Sequence, residues 1–134
     1  MSSPPPPRSA EAIGRLADLV IDCPDARLLA QFWQTVLGRD IDDDEDGWIT
    51  LGPGPDGHRL SFQQVADYIA PTWPSQHHPQ QMHLDVLVED LPTAHAQVLA
   101  LGAQARGDVM SPGPKEWRVY ADPAGHPFCL VTGV

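Results

Sequence analysis

The sequence predicts an α+β fold of two βαβββ modules, because two features occur twice in the same order along the chain. A Gly-His pair precedes a strand of alternating apolar residues at Gly57–His58 and, 68 residues later, at Gly125–His126. A helix-like segment ends in Leu-Gly at Leu37–Gly38 and, 64 residues later, at Leu101–Gly102. A repeat of this length is typical of one supersecondary unit per copy, and such a unit buries its apolar face against its twin.

The predicted organisation is one domain preceded by a tail. A disordered Pro-rich tail is expected over residues 1–13, where four consecutive prolines exclude a helix. A single domain is expected over 14–134, with module one at 14–65, a linker at 66–81 and module two at 82–134. The linker is predicted because its three prolines interrupt any regular pattern of apolar residues.

Module one begins with the segment RLADLVIDC, whose apolar character indicates a strand. A helix is predicted next, with Asp25 suited to its start and Gly38 to its C-terminal cap. The apolar residues that recur at helical spacing, and are expected to form its buried face, are Leu28, Leu29, Phe32, Val36 and Leu37.

The remainder of module one is predicted to contain a hairpin followed by a last strand. The segment RDIDDDEDGWITLGPG indicates two strands around an acidic turn, and HRLSFQQV indicates the last strand. The acidic run at 42–47 matches the opening of a calcium-binding loop, but Pro53 occupies the twelfth position, where a bidentate glutamate is required. A solvated hairpin turn is therefore the prediction for this run.

Module two repeats the order of module one. The segment QMHLDVLVED predicts a strand in which Met82, Leu84 and Val86 share one side, so that His83 faces the other. A helix is expected to start after Asp90 and to end at Gly102. Three further strands are predicted from AQARGDVM, EWRVYADP and HPFCLVTG.

Composition and charge limit the kinds of molecule that the protein is expected to bind. The length of 134 residues suits one domain, and the apolar fraction of 42% is typical of a globular protein. Acidic residues outnumber basic residues 18 to 8, and a net charge of −10 repels phosphate backbones and anionic lipids. We therefore expect no nucleic-acid partner and no membrane partner.

The two cysteines and the N-terminal segment predict a cytoplasmic protein. Cys23 and Cys129 form no CxxC pair, and one bridge would not make a disulfide framework. The segment MSSPPPPRSAEA lacks the basic-then-apolar pattern of a secretory signal. Both cysteines are accordingly expected to be reduced thiols.

Two segments of module two carry a family resemblance. The segments MHLDVLVEDLPTAHAQVLALGA and WRVYADPAGHPFCLV resemble the glyoxalase-like domains of the vicinal oxygen chelate (glyoxalase/bleomycin resistance/dioxygenase) superfamily, and the resemblance extends from about Leu16 to Val134. It implies that the paired modules form a curved mixed sheet around a pocket. It also implies that the pocket binds a small organic molecule, that many relatives hold one divalent metal, and that the chain forms a homodimer.

The resemblance also implies where metal ligands would stand, on the first and last strands of each module. His83 occupies such a position in module two, and its counterpart in module one falls near Leu16. The last-strand positions hold Ser61 and Cys129, where many relatives have a glutamate. Because a divalent metal requires three or more protein ligands, no cofactor is expected, and a divalent metal with His83 as a ligand is the alternative.

The predicted ligand-binding residues combine aromatic and polar side chains on the strands. Alternation places Ser61 and Gln63 on one face, which matches the face of Cys129 in module two. His83 has a second interpretation as a half-buried strand histidine, and Cys129 has one as a small apolar core residue. The complete predicted set is Trp48, Ser61, Phe62, Gln63, His83, Trp117 and Cys129.

Two functions follow from these expectations, and both stay open at this point. The first is a glyoxalase-like small-molecule-binding protein of the resistance type, without the complete metal site of the family. The second is a divalent-metal-dependent lyase, isomerase or dioxygenase of the same superfamily. A third possibility is a purely interacting domain, which predicts a closed or filled cavity. The sequence contains no phosphate-binding loop and no hydrolase motif that would favour nucleotide or hydrolase chemistry.

Overall fold

The computed structural model describes residues 13–55 and 57–133, so the predicted tail at 1–13 lies outside the described residues except for Ile13. Ten elements follow one another along the chain. They are β1 Asp18–Cys23, α1 Ala26–Leu37, β2 Ile41–Glu45, β3 Trp48–Leu51, β4 Arg59–Gln64, β5 Leu84–Leu87, α2 Leu91–Ala100, β6 Gln104–Ala105, β7 Glu116–Ala121 and β8 Pro127–Thr132.

The strands form two four-stranded sheets with the same topology. The strand orders are β1-β4-β3-β2 and β5-β8-β7-β6. The first and last strands of each module pair in parallel, and the other pairs are antiparallel. The prediction of an α+β fold with two βαβββ modules is therefore confirmed.

Both helices start at a capping aspartate, as predicted. The Asp25 side chain accepts a hydrogen bond from the Leu28 amide at 3.1 Å, and Gly38 ends α1 with a φ of 65°. The Asp90 side chain accepts from the Thr93 amide at 3.0 Å and caps α2. The prediction for Leu28 is wrong, since 53% of its surface is exposed, and Trp33 takes a place in the buried face instead.

The two modules share one hydrophobic core, and α1 is the element that joins them. The Phe32 and Trp33 rings of α1 meet Phe128 of β8 edge-on, with ring centroids 5.9 and 5.0 Å apart. The Trp33 indole also donates a buried hydrogen bond to Asp122, which follows β7, at 3.0 Å. A helix of module one is thus anchored on β8 of module two and on the turn that precedes it.

The structure refines the prediction for two segments, the acidic run at 42–47 and the predicted linker at 66–81. The predicted hairpin is confirmed, because β2 pairs antiparallel with β3, but the turn occupies residues 46–47 alone. Residues 42–45 of the acidic run belong to β2, where Asp42 and Asp44 form ion pairs with Arg59 and Arg27. The 66–81 linker contains a bridge between Thr72 and Pro79 and lies against both modules. None of the described helices has the length and apolar character required to cross a bilayer.

Candidate functional site

A cavity of about 700 Å³ lies between the first strands of the two modules. Its wall comes from β1, the linker, the segment that leads into β5, and the turn between β7 and β8. The apolar part of this wall includes Ile21, Trp33, Ile69 and Pro127. The volume falls within the range of about 300–1,000 Å³ that is usual for small-molecule sites.

A hydrogen-bonded chain of Asp122, His126 and Tyr68 forms part of the cavity wall. The Nδ1 atom of His126 lies 2.8 Å from Asp122 Oδ2, and its Nε2 atom lies 2.8 Å from the backbone oxygen of Asp22. The Tyr68 hydroxyl lies 3.0 Å from the same Nε2 atom. The chain therefore runs from a buried carboxylate to a phenol that lines the cavity.

The buried Asp122 carboxylate collects four hydrogen-bond donors. They are the Trp33 indole, the His126 ring and the backbone amides of Ala124 and His126. Only 4% of the Asp122 surface is exposed, so these charge-assisted bonds replace the water that the carboxylate loses on folding. Asp122 thereby fixes the turn, the α1 helix and the His126 ring in one arrangement.

The pKa values of this chain follow from burial and from the nearby carboxylate. Burial disfavours the charged form of His126, but the hydrogen bond and the charge of Asp122, together with the Asp22 carbonyl, raise its pKa overall. Burial and the negative charge of Asp122 also raise the pKa of Tyr68. Tyr68 consequently keeps its proton near neutral pH and can act as a hydrogen-bond donor.

Gln80 contributes a second polar group to the cavity wall. Its Oε1 atom is buried, and it meets no hydrogen-bond donor in residues 13–55 and 57–133. A buried acceptor without a donor costs about 1–3 kcal/mol.

A separate group of metal-ligand atoms lies on module two. The side-chain donor atoms of His83, Asp85 and Cys129 all lie within 4.8 Å of one another. His83 Nε2 is 3.2 Å from Asp85 Oδ1, and Asp85 stands opposite Cys129 in the parallel register of β5 and β8. His83 also lines the cavity, so this group adjoins it.

The donor set fits a divalent metal of the zinc type. An imidazole nitrogen, a carboxylate oxygen and a thiolate sulfur are usual zinc ligands, and three protein ligands leave one position open for water or substrate. Burial and the Asp85 carboxylate raise the pKa of Cys129 to about 11, so metal binding would have to release the thiol proton. The side chains of His83 and Asp85 are 43% and 53% exposed, so solvent reaches the group.

The equivalent face of module one carries a different set of side chains. Trp48 donates to Thr50 at 3.2 Å, Thr50 and Ser61 share a hydrogen bond of 2.7 Å, and Ser61 donates to Asp18 at 2.6 Å. The other carboxylate oxygen of Asp18 is buried and meets no donor within the described part of the chain. The strand registers make Asp18, rather than a residue near Leu16, the counterpart of His83.

The model of the family described as "Glyoxalase-like domain" matches residues 18–131. The chain belongs to this family. A comparison with curated protein sequences found no match.

Solved structures support the glyoxalase-like fold at low sequence identity. A glyoxalase-related enzyme from Fulvimarina pelagi is 17% identical, with 90% of this chain and 89% of that chain covered and a TM-score of 0.68. A glyoxalase/bleomycin resistance protein/dioxygenase family enzyme from Burkholderia phytofirmans is 14% identical, with 90% and 100% covered and a TM-score of 0.71. A fosfomycin resistance protein from Listeria monocytogenes is 13% identical, with 91% and 95% covered and a TM-score of 0.67. These likenesses establish the vicinal oxygen chelate fold of the chain.

The structure distributes the predicted ligand-binding residues of this glyoxalase-like protein over three places. His83 lines the cavity, and it meets Cys129 through the group with Asp85. Phe62 lies in the core with no exposed surface. The other four lie on the sheet faces opposite the helices, and they are Trp48, Ser61 and Gln63 in module one and Trp117 in module two.

Sequence reasoning missed the polar residues that the glyoxalase-like protein presents to its cavity. Asp122 and His126 stand four residues apart around a turn, a spacing that could have indicated a side-chain hydrogen bond. Tyr68 and Gln80 come from the linker, where no periodic pattern assigns a face to a side chain. Their position follows from the path of the linker alone.

Proposed function

We propose that this glyoxalase-like protein binds a small organic molecule in the cavity between its modules. The observation that carries the proposal is a cavity of about 700 Å³ lined by apolar side chains together with a few polar ones, among them Tyr68, Gln80 and His126. Apolar contact would supply most of the affinity, and a few polar groups would orient the ligand.

We propose further that the protein is a binder of the resistance type, which functions without the complete metal site of the family. The four positions that the resemblance assigns to metal ligands divide into two sets. Asp18 is hydrogen-bonded to Ser61, while His83 and Cys129 belong to the group with Asp85. The fosfomycin resistance protein among the structures of similar fold supports this class of function.

A cavity-filling variant tests small-molecule binding. N-phenylnaphthylamine, an uncharged apolar probe whose fluorescence rises on leaving water, is titrated into the protein and into Val20→Trp. Val20 lines the cavity and is 42% exposed, so the larger ring should enter the cavity and weaken probe binding at least about tenfold, equivalent to about 1.4 kcal/mol.

Leu99→Trp is the matched control. Leu99 is 39% exposed on α2 and does not line the cavity, so the probe should bind this variant as it binds the natural chain. If the natural chain shows no saturable binding, or if both variants bind the probe equally, the proposed cavity function is wrong.

A second candidate function, a divalent-metal-dependent lyase, isomerase or dioxygenase, is favoured by the His83, Asp85 and Cys129 group. These three side chains would hold the metal, which when bound would act as a Lewis acid on a substrate oxygen. Titration with cobalt(II) tests it, because a cobalt–thiolate bond gives a charge-transfer band in the near ultraviolet. A band that is absent from the natural chain, or that survives in Cys129→Ala, would exclude this group as the metal site.

We also propose that the chain is a cytoplasmic homodimer. The exposed apolar side chain of Leu87, with 63% of its surface accessible, supports a dimer, since a second copy would remove it from water. Cys23 and Cys129 are free and buried, which suits a reducing compartment. Light scattering behind size-exclusion chromatography should give the dimer mass, and Leu87→Glu should shift it towards the monomer mass.

A further inference from the structure

We propose that the Tyr68 hydroxyl, supported by the His126–Asp122 pair, donates a hydrogen bond to an uncharged carbonyl oxygen of the bound molecule. The inference rests on the proposed binding function and names the chemical class of its ligand. It rests on the protonation of both His126 ring nitrogens, on the hydroxyl hydrogen that Tyr68 can offer to the cavity, and on the charges that line the cavity.

The first step is that both ring nitrogens of His126 carry a proton. Nδ1 faces the two carboxylate oxygens of Asp122 at 3.0 and 2.8 Å, and Nε2 faces the carbonyl oxygen of Asp22 at 2.8 Å. Neither a carboxylate nor a carbonyl can donate, so each contact requires an N–H on the ring. The ring is therefore an imidazolium, and Asp122 balances its charge.

The second step concerns the hydrogen of the Tyr68 hydroxyl. Its oxygen lies 3.0 Å from Nε2 of His126, and because that nitrogen already carries a proton, the phenol oxygen is the acceptor in this contact. Within the described part of the chain the hydroxyl meets no other partner. Its hydrogen is therefore available to the cavity that Tyr68 lines, and the adjacent imidazolium strengthens it as a donor.

The third step is that the charges around the cavity favour an uncharged acceptor. Asp22 and Asp67 also line the cavity, both are exposed, and their carboxylates would repel an anionic ligand. The negative charge of Asp122 is balanced by His126. A carbonyl oxygen accepts a strong hydrogen bond without a net charge, so a ketone, amide or ester group fits better than a carboxylate.

A pair of matched probes and a pair of matched variants test the inference. Prodan is an uncharged naphthyl ketone whose emission moves to the red when its carbonyl accepts a hydrogen bond, and N-phenylnaphthylamine is an uncharged naphthalene without a carbonyl. Tyr68→Phe removes the proposed donor. Tyr120→Phe removes the hydroxyl of the other tyrosine, which contacts His95 at 2.8 Å and does not line the cavity.

Prodan should bind Tyr68→Phe about 3- to 10-fold more weakly than the natural chain, the range expected for one neutral hydrogen bond. The emission of the residual bound Prodan should move to the blue. N-phenylnaphthylamine should bind both proteins equally, and Tyr120→Phe should bind both probes as the natural chain does. The emission shift separates a direct contact from a general loosening of the cavity.

Other results would overturn the inference. It is wrong if Tyr68→Phe leaves the affinity and emission of Prodan unchanged, if it weakens both probes alike, or if the natural chain binds only the probe without a carbonyl. If the natural chain binds neither probe, the proposed binding function is wrong and this inference falls with it. Should Tyr68→Phe fail to fold, His126→Gln takes its place, and Prodan binding that equals that of the natural chain would refute the role of the pair.

Discussion

The two Gly-His turns of this protein share a backbone hydrogen bond and a glycine with positive φ, but they differ in the residue at which the turn begins. In module one the Gly57 amide donates to the Gly54 carbonyl at 3.0 Å, and in module two the Gly125 amide donates to the Asp122 carbonyl at 2.8 Å. The φ angles of the two inner glycines are 86° and 91°, a region that favours glycine in both copies. Position 54 is a glycine where module two has an aspartate.

This difference indicates that the Asp122 carboxylate has a function other than forming the turn. Module one makes the same turn with Gly54, which has no side chain to accept a hydrogen bond. In module two the carboxylate instead reaches Trp33 of the other module and orients His126 beside the cavity. The duplicated turn is therefore a structural device in both copies, and the second copy also connects the modules and shapes the site.

The faces of the two sheets differ in a similar way. Ser61 and Cys129 occupy equivalent register positions, opposite Val20 and Asp85. The module-one face satisfies most of its polar groups internally, whereas the module-two face gathers three metal-ligand atoms. A metal site in this chain would thus belong to one module, although the fold offers equivalent positions in both.

The largest expected effect comes from removing the carboxylate that distinguishes the two turns. Asp122→Ala leaves four donors, one of them the charged ring of His126, without their acceptor in a buried place, and should lower the free energy of unfolding by about 3–5 kcal/mol. Urea unfolding followed by circular dichroism measures this change. Asp90→Ala, which removes an exposed helix cap, should lower the free energy of unfolding much less. Equal losses in the two variants would contradict the connecting role of Asp122.

More of the fold than of the candidate site can be predicted from the sequence. Local signals decided the elements, since Asp25, Gly38 and Asp90 mark helix ends whatever packs around them. Alternation assigned a face to His83 and to Cys129 separately, and the parallel pairing of β5 with β8 brings the two side chains together. The cavity depends on Tyr68 meeting His126, 58 residues away, and such a long-range contact leaves no local pattern.

The next largest effect is expected on the zinc affinity of the module-two sheet face. Cys129→Ser gives module two the residue that module one has at Ser61, and it replaces a zinc ligand by a much weaker one. Zinc affinity, measured by competition with a chromophoric chelator, should fall at least about 10- to 100-fold. This is the range that the loss of an outer-shell partner costs, and here a direct ligand is replaced. Ser61→Ala should leave zinc affinity unchanged. Equal zinc binding by the natural chain and Cys129→Ser would show that module two holds no thiolate site.

The smallest effect is a pH dependence that separates the two turn histidines. The titratable groups that face His126 are Asp122, Asp22 and Tyr68, and the pKa of His126 is raised in the folded protein because Asp122 outweighs the effect of burial. A raised pKa means that the folded state binds the proton more tightly than the unfolded chain does. The resulting stability is fully present below the unfolded pKa of about 6.5 and is lost as the pH rises through the folded pKa.

The difference between the free energies of unfolding at pH 6 and pH 8 therefore tests the state of His126. In the natural chain this part of the stability should be larger at pH 6 than at pH 8, and His126→Gln should remove it. The matched variant His58→Gln changes the corresponding histidine of module one, which follows Gly57. It should keep the dependence, because the Asp122 pair is intact. A pH dependence that is lost in His58→Gln and kept in His126→Gln would reverse the assignment of the two turns.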